Sequence, residues 1–513
     1  MTFIKILLIF FFLVLPSLGF AGRTYYVDCS AGSRGDGSFS NPWNSIHSVN
    51  EHNFGVGDDV YFKVDTTCKP AAGLWVDWSG TKTDHVVIGA YHGNGKFGLN
   101  GKRKPVIDGS RNTVPNTDGR RGLISIQGEN FDYIDVRDLQ IQYSGDYGLV
   151  AKFSDNITVS NCFFYRNEAG IVFSTSVVGG SITNNELAET GYPAFDGSTG
   201  GAIIEITAMN LECGTRDIVV ANNFVHDGEN EGIGIYKRAC NIIVENNVVR
   251  DICSVNIYNA RSGTASRPNV IRYNLVYDST NDLLDQASCG DSAFGIMFDC
   301  EQQWEDCPPM HIDVYGNLIA GLSNGFNIVC NERRDQPEIQ CYGDLNIYNN
   351  SLADNVYNFK FATPERHKEI DDIDIRNNIS YTSAAGTNHC DYYTVDGVSW
   401  ANNLFDDPIG GEAGAGPGTV FGNPSLKKTS GWRALSPGEL DGSEFRPAKN
   451  SIANNTGMFI RGYNNRISDS DFTANPSIVA TQLDNKPNIG AWMENKASTN
   501  LSAPKNFGVS LRP

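Results

Sequence analysis

The 513-residue chain lacks an excess of positive charge: its formal net charge is −19. A protein that binds nucleic acid neutralises phosphates with a basic surface, so a nucleic-acid partner is not expected. After its first residues the chain also lacks an apolar run of the about 20 residues that a membrane helix needs. No CxxC pair stands beside a second Cys or His pair, so a zinc site is not expected either.

The N-terminus has the pattern of a secretory signal. Lys5 precedes an apolar run from Ile6 to Leu15, Pro16 ends that run, and small residues precede position 22. Residues 1–21 are therefore predicted to be a signal peptide. The mature chain is expected to be secreted, extracellular or periplasmic, monomeric and without a membrane anchor.

Cysteine usage agrees with export. All twelve cysteines follow residue 21, and an even count fits an oxidising compartment. Three pairs are close enough in sequence to join loops: Cys29/Cys68, Cys300/Cys307 and Cys330/Cys341. The sequence does not fix the pairing.

A repeat dominates the middle of the chain, from about residue 122 to 405. Each unit has short alternating strands and ends at asparagine, and the spacings between these asparagines are 24, 38, 24, 27, 43, 33, 28 and 25. A period in the twenties with insertions is typical of a β-solenoid. Stacked coils are expected to place these residues in an internal hydrogen-bonded ladder: Asn161, Asn185, Asn223, Asn247, Asn274, Asn317, Asn350, Asn378 and Asn403.

Segments around the repeat carry a family resemblance. They are Thr24–Val27, Pro42-Trp43, Gly57–Lys63, Val86–Tyr91 and Pro105–Gly109 before it, and Phe445–Pro447 and Pro487–Trp492 after it. In this order they resemble secreted right-handed parallel β-helix proteins of the pectate-lyase-like superfamily.

The predicted fold is all-β, a right-handed parallel β-helix with N- and C-terminal caps; a propeller or a sandwich is the alternative. Residues 22–115 form the N-terminal capping segment, 116–435 the β-helix with loop insertions, 436–495 the closing coil and 496–513 a polar tail. Capping is required because the two ends of a solenoid are its open sheet edges.

Period-2 alternation predicts an exposed sheet face. If Ile233 and Ile235 point inward, Gly234 and Tyr236 point outward. One outward column is then expected to hold Lys152, Ser174, Glu205, Tyr236, Tyr258, Asp299, Val329 and Ala362. A second is expected to hold Val150, Val172, Ile203, Gly234, Asn256, Met297, Asn327 and Lys360. Insertions at 186–200, 207–217, 261–268, 279–293 and 300–311 flank this face, so the site is expected between Glu205 and Asp299.

The first candidate chemistry is a lyase that cleaves a uronic-acid polysaccharide by β-elimination. This reaction needs a base, a cation beside the substrate carboxylate and an acid for the leaving oxygen. The candidate catalytic residues are Lys237, Tyr236, Glu205 and Asp299, and the candidate substrate-binding residues are Lys152, Tyr258, Arg238, Arg261, Asn256 and Trp304. The resemblance implies a Lys or Arg base beside calcium-binding acids. Lys237 is expected where the strand has ended, because an inward ammonium without a partner is costly.

The alternatives are a glycoside hydrolase and a non-catalytic carbohydrate-binding surface protein. A hydrolase needs two carboxylates about 5 to 9.5 Å apart. Glu205 and Asp299 lie three coils apart, about 14 Å, which is too far. Glu205 with Glu229 or Glu231, or Asp299 with Asp285 or Glu301, are the candidate pairs.

A calcium ion is the one cofactor considered. It takes six to eight oxygen ligands, and Asp227, Glu229 and Glu231 offer carboxylates in one turn. A solvated turn is the alternative.

Overall fold

The structure is a computed structural model. It describes residues 22–110, 121–128, 131–191, 201–209, 211–278, 293–299, 309–330, 341–362, 369–383, 388–390, 396–407, 416–432, 440, 442–448 and 450–453. The predicted signal peptide, Trp304, Asp285, Glu301, the Cys300/Cys307 pair and the segment 454–513 lie outside these residues.

The chain is built almost entirely from short strands. A five-residue helix α1 (Ile46–Asn50) and a 3-10 turn (Ser443–Phe445) are the helical elements of the described part. The first strands are β1 (Thr24–Val27), β2 (Asp59–Lys63), β3 (Thr67–Cys68), β4 (Leu74–Trp75), β5 (Val86–Tyr91), β6 (Val106–Asp108), β7 (Ile124–Gln127), β8 (Ile134–Arg137), β9 (Gln140–Gln142), β10 (Tyr147–Ser160), β11 (Phe163–Tyr165) and β12 (Ala169–Thr183).

The strands after β12 repeat the same cycle. They are β13 (Glu186–Ala188), β14 (Ile204–Thr207), β15 (Arg216–Ala221), β16 (Phe224–Gly228), β17 (Glu231–Tyr236), β18 (Cys240–Glu245), β19 (Val248–Ile252), β20 (Val255–Ala260), β21 (Asn269–Arg272), β22 (Leu275–Tyr277), β23 (Phe294–Asp299), β24 (Met310–Tyr315), β25 (Leu318–Ala320), β26 (Asn324–Val329), β27 (Tyr342–Tyr348), β28 (Ser351–Ala353), β29 (Tyr357–Ala362), β30 (Glu369–Arg376), β31 (Ile379–Tyr381), β32 (Asn388–Cys390), β33 (Asp396–Ala401), β34 (Leu404–Phe405) and β35 (Val420–Phe421).

Each coil visits three faces of a solenoid. We call the first the site face; it contains β4, β7, the first parts of β10 and β12, then β14, β17, β20, β23, β26, β29 and β32. The other strands alternate between two further faces. The second face begins with β1 and ends with β33, and the third begins with β3 and ends with β35. Every ladder between these strands is parallel, which confirms the solenoid and contradicts the propeller and sandwich alternatives, whose strands pair antiparallel.

The core lies between the three faces. On the site face the inward column contains Leu149, Ile171, Ile204, Ile233, Ile257 and Ile296, all fully buried. Ile235 is buried in the neighbouring inward column, so the prediction that Ile233 and Ile235 point inward is confirmed.

An asparagine ladder runs along the corner between the second and third faces. The backbone N–H and the side-chain amide of one asparagine both donate to Oδ1 of the next, at 2.9–3.1 Å, through Asn185, Asn223, Asn247, Asn274, Asn317, Asn350, Asn378 and Asn403. Each amide also donates to a backbone carbonyl of the preceding coil, as Asn247 does to Val220 O at 2.9 Å. The internal ladder is confirmed.

Asn161 is the exception. The ladder position of its coil belongs to Cys162, whose N–H donates to Asn185 Oδ1 at 2.9 Å. Asn161 instead occupies the preceding position, where φ is +50°. The same left-handed position is filled by the first asparagine of each Asn-Asn pair, for example Asn246 with φ +55°, because asparagine tolerates this conformation better than most residues.

Three disulfides join described residues: Cys29–Cys68, Cys213–Cys240 and Cys330–Cys341. Two of the pairs expected from sequence are therefore confirmed. Cys162 and Cys390 are buried thiols. Among the described residues, no helix is both long and apolar enough to cross a bilayer.

The ladder predicts that substitutions of two adjacent asparagines, Asn247 and Asn246, differ in their effect on stability. Asn247→Ala removes the side-chain partner of the buried Asn223 N–H and of the buried Val220 carbonyl, and since each unsatisfied group costs about 1–3 kcal/mol, we expect the free energy of unfolding to fall by about 2–4 kcal/mol. Asn246→Gly is the matched control, with an expected change within about 0.5 kcal/mol because glycine accepts positive φ. Equilibrium urea unfolding measures both, and equal losses would contradict the assigned role of the ladder.

Candidate functional site

The register of the site face corrects the predicted outward columns. Glu205 and Tyr258 are both in register with Gly234, not with Tyr236. The outward column through Lys152 therefore continues as Ser174, Thr207, Tyr236, Ala260 and Asp299. The other runs through Trp75, Ser125, Val150, Val172, Glu205, Gly234, Tyr258, Met297, Asn327 and Lys360.

Asn256 is also placed differently from the prediction. It is the second residue of β20, and its side chain is fully buried, as are those of the next residue, Ile257, and of Ile203, which directly precedes β14. Its amide donates to the backbone carbonyl of Phe294 at 2.9 Å. Alternation therefore fails at the start of β20, and Asn256 belongs to the interior and is not available to a substrate.

Lys152 and Glu205 form the centre of the site. Burial lowers the pKa of the Lys152 ammonium, and the charge of Arg121 lowers it further, while Asp146 and Glu205 oppose the shift. Burial raises the pKa of Glu205 against the charges of Lys237, Lys152 and Arg121. These four residues, Arg121, Lys152, Glu205 and Lys237, are called the charged cluster below.

Apolar residues beside the charged cluster limit the access of water to it. Val150, Ala169 and Val172 point away from the core, yet they are buried in an outer group on which Tyr147 packs. Lys152 follows Val150 by two residues in the outward direction, and Glu205 is in register with Val172. Charges next to such a dehydrated surface interact more strongly than charges in water.

The side chains of Lys152 and Glu205 are not engaged by neighbouring described residues. Within the part of the chain that the structure describes, the Glu205 carboxylate and the Lys152 ammonium have no hydrogen bond or ion pair. Both residues retain partial exposure. A buried charge normally has a partner, so this pair is arranged to receive polar groups from outside.

Arg121 is held by the turn before β10. Its Nε donates to Asp146 Oδ2 at 2.7 Å, one Nη donates to the Tyr147 hydroxyl at 3.0 Å, and the guanidinium lies 4.5 Å from the centre of the Tyr147 ring. Burial and nearby acids raise the pKa of Tyr147 to about 12, against the charge of Arg121. Asp146 Oδ1 is buried and has no hydrogen-bond partner among the described residues.

Three cations follow the strands at the opposite edge of the site face. Lys237 and Arg238 come directly after β17 with φ of +50° and +70°, and Arg261 occupies the equivalent turn position after β20 with φ +51°. This confirms that Lys237 lies beyond the strand end. The turn is braced by the Cys213–Cys240 disulfide and by the bond from Cys213 N to Arg238 O at 3.0 Å. From this position the charge of Lys237 acts on Glu205 and opposes the rise of its pKa, whereas Arg261 is buried.

Tyr236 lies over Gly234. A Cβ on Gly234 would come within 2.3 Å of the Tyr236 ring, so only glycine leaves room for the ring on the sheet. The ring then meets Tyr258 edge-on at 5.5 Å between centres. Glu205 and Tyr258 are the register neighbours of Gly234, so the Tyr236 ring covers the position between them.

Asp299 belongs to a separate part of the face. It lies two coils from Tyr236 and three from Glu205, and its Oδ2 accepts from the Tyr258 hydroxyl at 3.5 Å. Tyr258 and Asp299 are both buried, at 3% and 6% exposure. The structure brings Lys152, Glu205, Lys237 and Tyr236 together, and it places Asp299 too far away to act with Glu205.

The predicted calcium ligands do not converge. Asp227 accepts from Arg250 at 3.2 Å and is bonded to His226 at 2.5 Å, at the end of the third face. Burial raises the pKa of Asp227, but His226 and Arg250 hold it below its usual range. No group of three or more His, Cys, Asp or Glu suited to a metal occurs among the described residues. The residues present do not fit the ion, and no step through calcium is derived.

Arg121, Asp146, Tyr147 and Glu168 were not identified from the sequence. The signal was a motif shared by the turns before β10 and β12, an acidic residue two positions before glycine: Asp146-Tyr147-Gly148 and Glu168-Ala169-Gly170. Tyr147 and Ala169 are register partners, so this motif marks one edge of the face.

Comparison with known proteins agrees with this architecture. A family model described as a right handed beta helix region matches residues 106–271. The fold of the described residues is a right-handed parallel β-helix. No curated protein matches its sequence.

Several solved structures resemble this β-helix. A complex of XylC with xylose aligns with a TM-score of 0.51 and 11% identity, covering 79% of this chain and 87% of that one. A rhamnogalacturonan lyase aligns with a TM-score of 0.47 and 13% identity, covering 74% and 87%. Pectate lyase Pel9A aligns with a TM-score of 0.48 and 14% identity, covering 93% and 97%. At 11% identity the similarity to XylC shows the fold alone.

The β-helix thus presents a row of polar and aromatic groups along its axis. From Lys152 to Asp299 the row crosses five coil steps, about 24 Å at the usual strand spacing. Its chemistry comprises a lysine of lowered pKa, a carboxyl of raised pKa, flanking cations and two tyrosines.

The Gly234 position predicts a steric effect. Gly234→Ala forces the Tyr236 ring off the sheet, and since overpacking typically costs about 1–3 kcal/mol, we expect a loss of that size in unfolding free energy. Gly32→Ala is the matched control, because a Cβ there meets nothing within 4 Å. Urea unfolding and a crystal structure of the Gly234 variant test this; an unmoved Tyr236 ring would contradict it.

Proposed function

We propose that this β-helix is a carbohydrate-active enzyme that cleaves an acidic polysaccharide by β-elimination at the charged cluster. The observation that carries the proposal is the position of Lys152, whose pKa is lowered, within the electrostatic influence of Glu205, while neither side chain has a hydrogen bond or ion pair among the described residues. A protein of net charge −19 that gathers three cations around one carboxyl has a site suited to an anionic ligand. A saccharide ligand on this fold has a precedent in the XylC structure, which was solved with xylose.

The proposed reaction needs no cofactor. Lys152, as the neutral amine, takes the proton from the carbon beside the uronate carboxylate. The bond from the next carbon to the glycosidic oxygen breaks, a carbon–carbon double bond forms, and the leaving oxygen takes a proton from Tyr236. Lys237 and Arg121 stabilise the negative charge that develops on the carboxylate. No water is consumed.

A glycoside hydrolase is the second candidate function. A Cβ on Gly201 would lie 3.1 Å from Glu205 Oε2, so the carboxyl bends back toward the start of its strand. Glu231 begins the next strand at this edge, in register beside Gly201 and Ala202. Glu205, with its raised pKa, is then the acid and Glu231 the second carboxylate. A binding protein without turnover is the remaining alternative.

The product distinguishes these functions. Purified protein is incubated with alginate, polygalacturonate and chondroitin sulfate, with and without EDTA. We expect the ultraviolet absorbance of an unsaturated product on one polymer, and a loss of at least about 100-fold in Lys152→Ala, the usual contribution of a general base. Lys82→Ala, at an exposed lysine away from the site, is the control. Reducing ends without that absorbance would indicate the hydrolase, and neither product would indicate a binding protein.

The pH dependence of the rate supplies a second test, because two substitutions are expected to shift the rate profile in opposite directions. The elimination requires neutral Lys152, so the rate rises with pH through the lowered pKa of Lys152. Glu205→Gln removes a negative charge that raises this pKa, so the acidic limb of the rate profile moves to lower pH. Arg121→Gln removes a positive charge that lowers it, so the limb moves to higher pH.

Glu205→Gln also separates the two enzymes. The lyase keeps turnover with a shifted profile, whereas a hydrolase that uses Glu205 as its acid loses turnover at every pH. Shifts of the same sign in both variants would contradict Lys152 as the titrating base.

A further inference from the structure

A cavity of about 560 Å³ lies near the N-terminal end of the solenoid, away from the charged cluster. It is bounded by helix α1, the Cys29–Cys68 disulfide and residues 67–72, with Trp75 in its lining. Its apolar side is supplied by Ile46, Pro70 and the alanines that follow Pro70. This size falls in the range of small-molecule sites, which combine apolar walls with a few polar groups.

Trp75 connects this cavity to the site face. It stands on β4 in register with Ser125, and the same outward column continues through Val150 and Val172 to Glu205. Four coil steps separate Trp75 from Glu205, about 19 Å at the strand spacing. A ligand that runs along the solenoid axis over Glu205 therefore meets Trp75.

The position of Trp75 is fixed by the capping helix. Asn50, the last residue of α1, accepts from Trp75 N at 3.0 Å and donates to Gly73 O at 2.8 Å, and so takes the place of a further strand. Both hydrogen-bonding groups of the Asn50 amide are thereby used, which makes it a positioning residue for Trp75.

Polar groups at the cavity suit an acidic saccharide. Lys69 is exposed, and it has no ion pair with any described residue. His47 is exposed and pairs with Glu51 at 3.1 Å. Trp75 and Lys69 line the same cavity, and an indole and an ammonium together offer stacking for the C–H face of a sugar ring and a charge for its carboxylate.

We infer that the Trp75 cavity is a remote subsite that anchors an uncleaved stretch of the same acidic polysaccharide. The inference rests on the proposed function for the identity of the ligand, but not on the cleavage chemistry. The occupant is the part of the chain that extends toward the N-terminal end of the solenoid while another part lies on the charged cluster. The subsite favours long chains over short fragments, because only a long chain reaches both places.

Binding by length tests the inference. The full chain carrying Lys152→Ala, which removes turnover, is run in affinity electrophoresis through alginate, polygalacturonate and chondroitin sulfate. Long fragments and disaccharides of the retarding polymer are then compared by titration calorimetry. Adding Trp75→Ala is expected to weaken binding of long fragments by about tenfold, as loss of one strong contact does, and to leave disaccharide binding unchanged. Trp75→Phe keeps an aromatic face and is expected to retain most of the affinity; Lys69→Ala is expected to weaken binding of the long fragments.

The outcomes separate the two proposals. Length-dependent loss in Trp75→Ala supports the subsite even if no polymer yields an unsaturated product, in which case the lyase proposal alone fails. Unchanged binding of long fragments, equal loss with long fragments and disaccharides, or no retardation by any of the polymers overturns the subsite. Unchanged thermal unfolding of Trp75→Phe and Trp75→Ala shows that the fold is intact.

Discussion

The register between neighbouring coils is the constraint on which the rest of this structure depends. Parallel hydrogen bonding fixes which outward side chains are neighbours along the axis, and a shift of one residue would turn the whole strand over. Two internal features hold it. The buried column of Ile204, Ile233 and Ile257 packs one side of each site-face strand, and the asparagine ladder fixes the corner where the second face ends. The outward side chains can therefore carry the chemistry of the site, because these inner contacts hold the register.

The charged cluster uses this frame to keep charges in a place where water is scarce. Val150 and Val172 fill the outward positions beside Lys152 and Glu205, so burial disfavours both ionised forms and their pKa values move toward each other. A lysine and a carboxyl on ordinary solvated sheet positions would form a weak surface ion pair instead. Arg121 and Lys152 differ in this respect. The Arg121 guanidinium is hydrogen-bonded to Asp146 and Tyr147, whereas the Lys152 ammonium is influenced by nearby charges without a hydrogen bond to them.

Much of the fold could be predicted from the sequence because its signals are local. Alternation identified the inward isoleucines, the Asn-Asn pairs identified the ladder, and short separations identified the Cys29–Cys68 and Cys330–Cys341 disulfides. The columns could not be aligned with the same certainty, because a slip of two residues preserves every inward and outward position. That slip separates Glu205 from the Tyr236 column. The starts of strands were a second difficulty, since alternation fails at the start of β20, where Asn256 is buried.

Site residues outside the strands were harder to predict because turns have no period. Lys237 could be placed after a strand only by the cost of burying an ammonium, and that argument gave the correct position. No comparable argument could place Arg121, because its partners Asp146 and Tyr147 come a full coil later in the sequence. A stacked fold brings such residues together through register alone. The same property extends a site beyond its reacting groups, because each coil step repeats the spacing and an outward side chain as remote as Trp75 remains on the line that passes over Glu205.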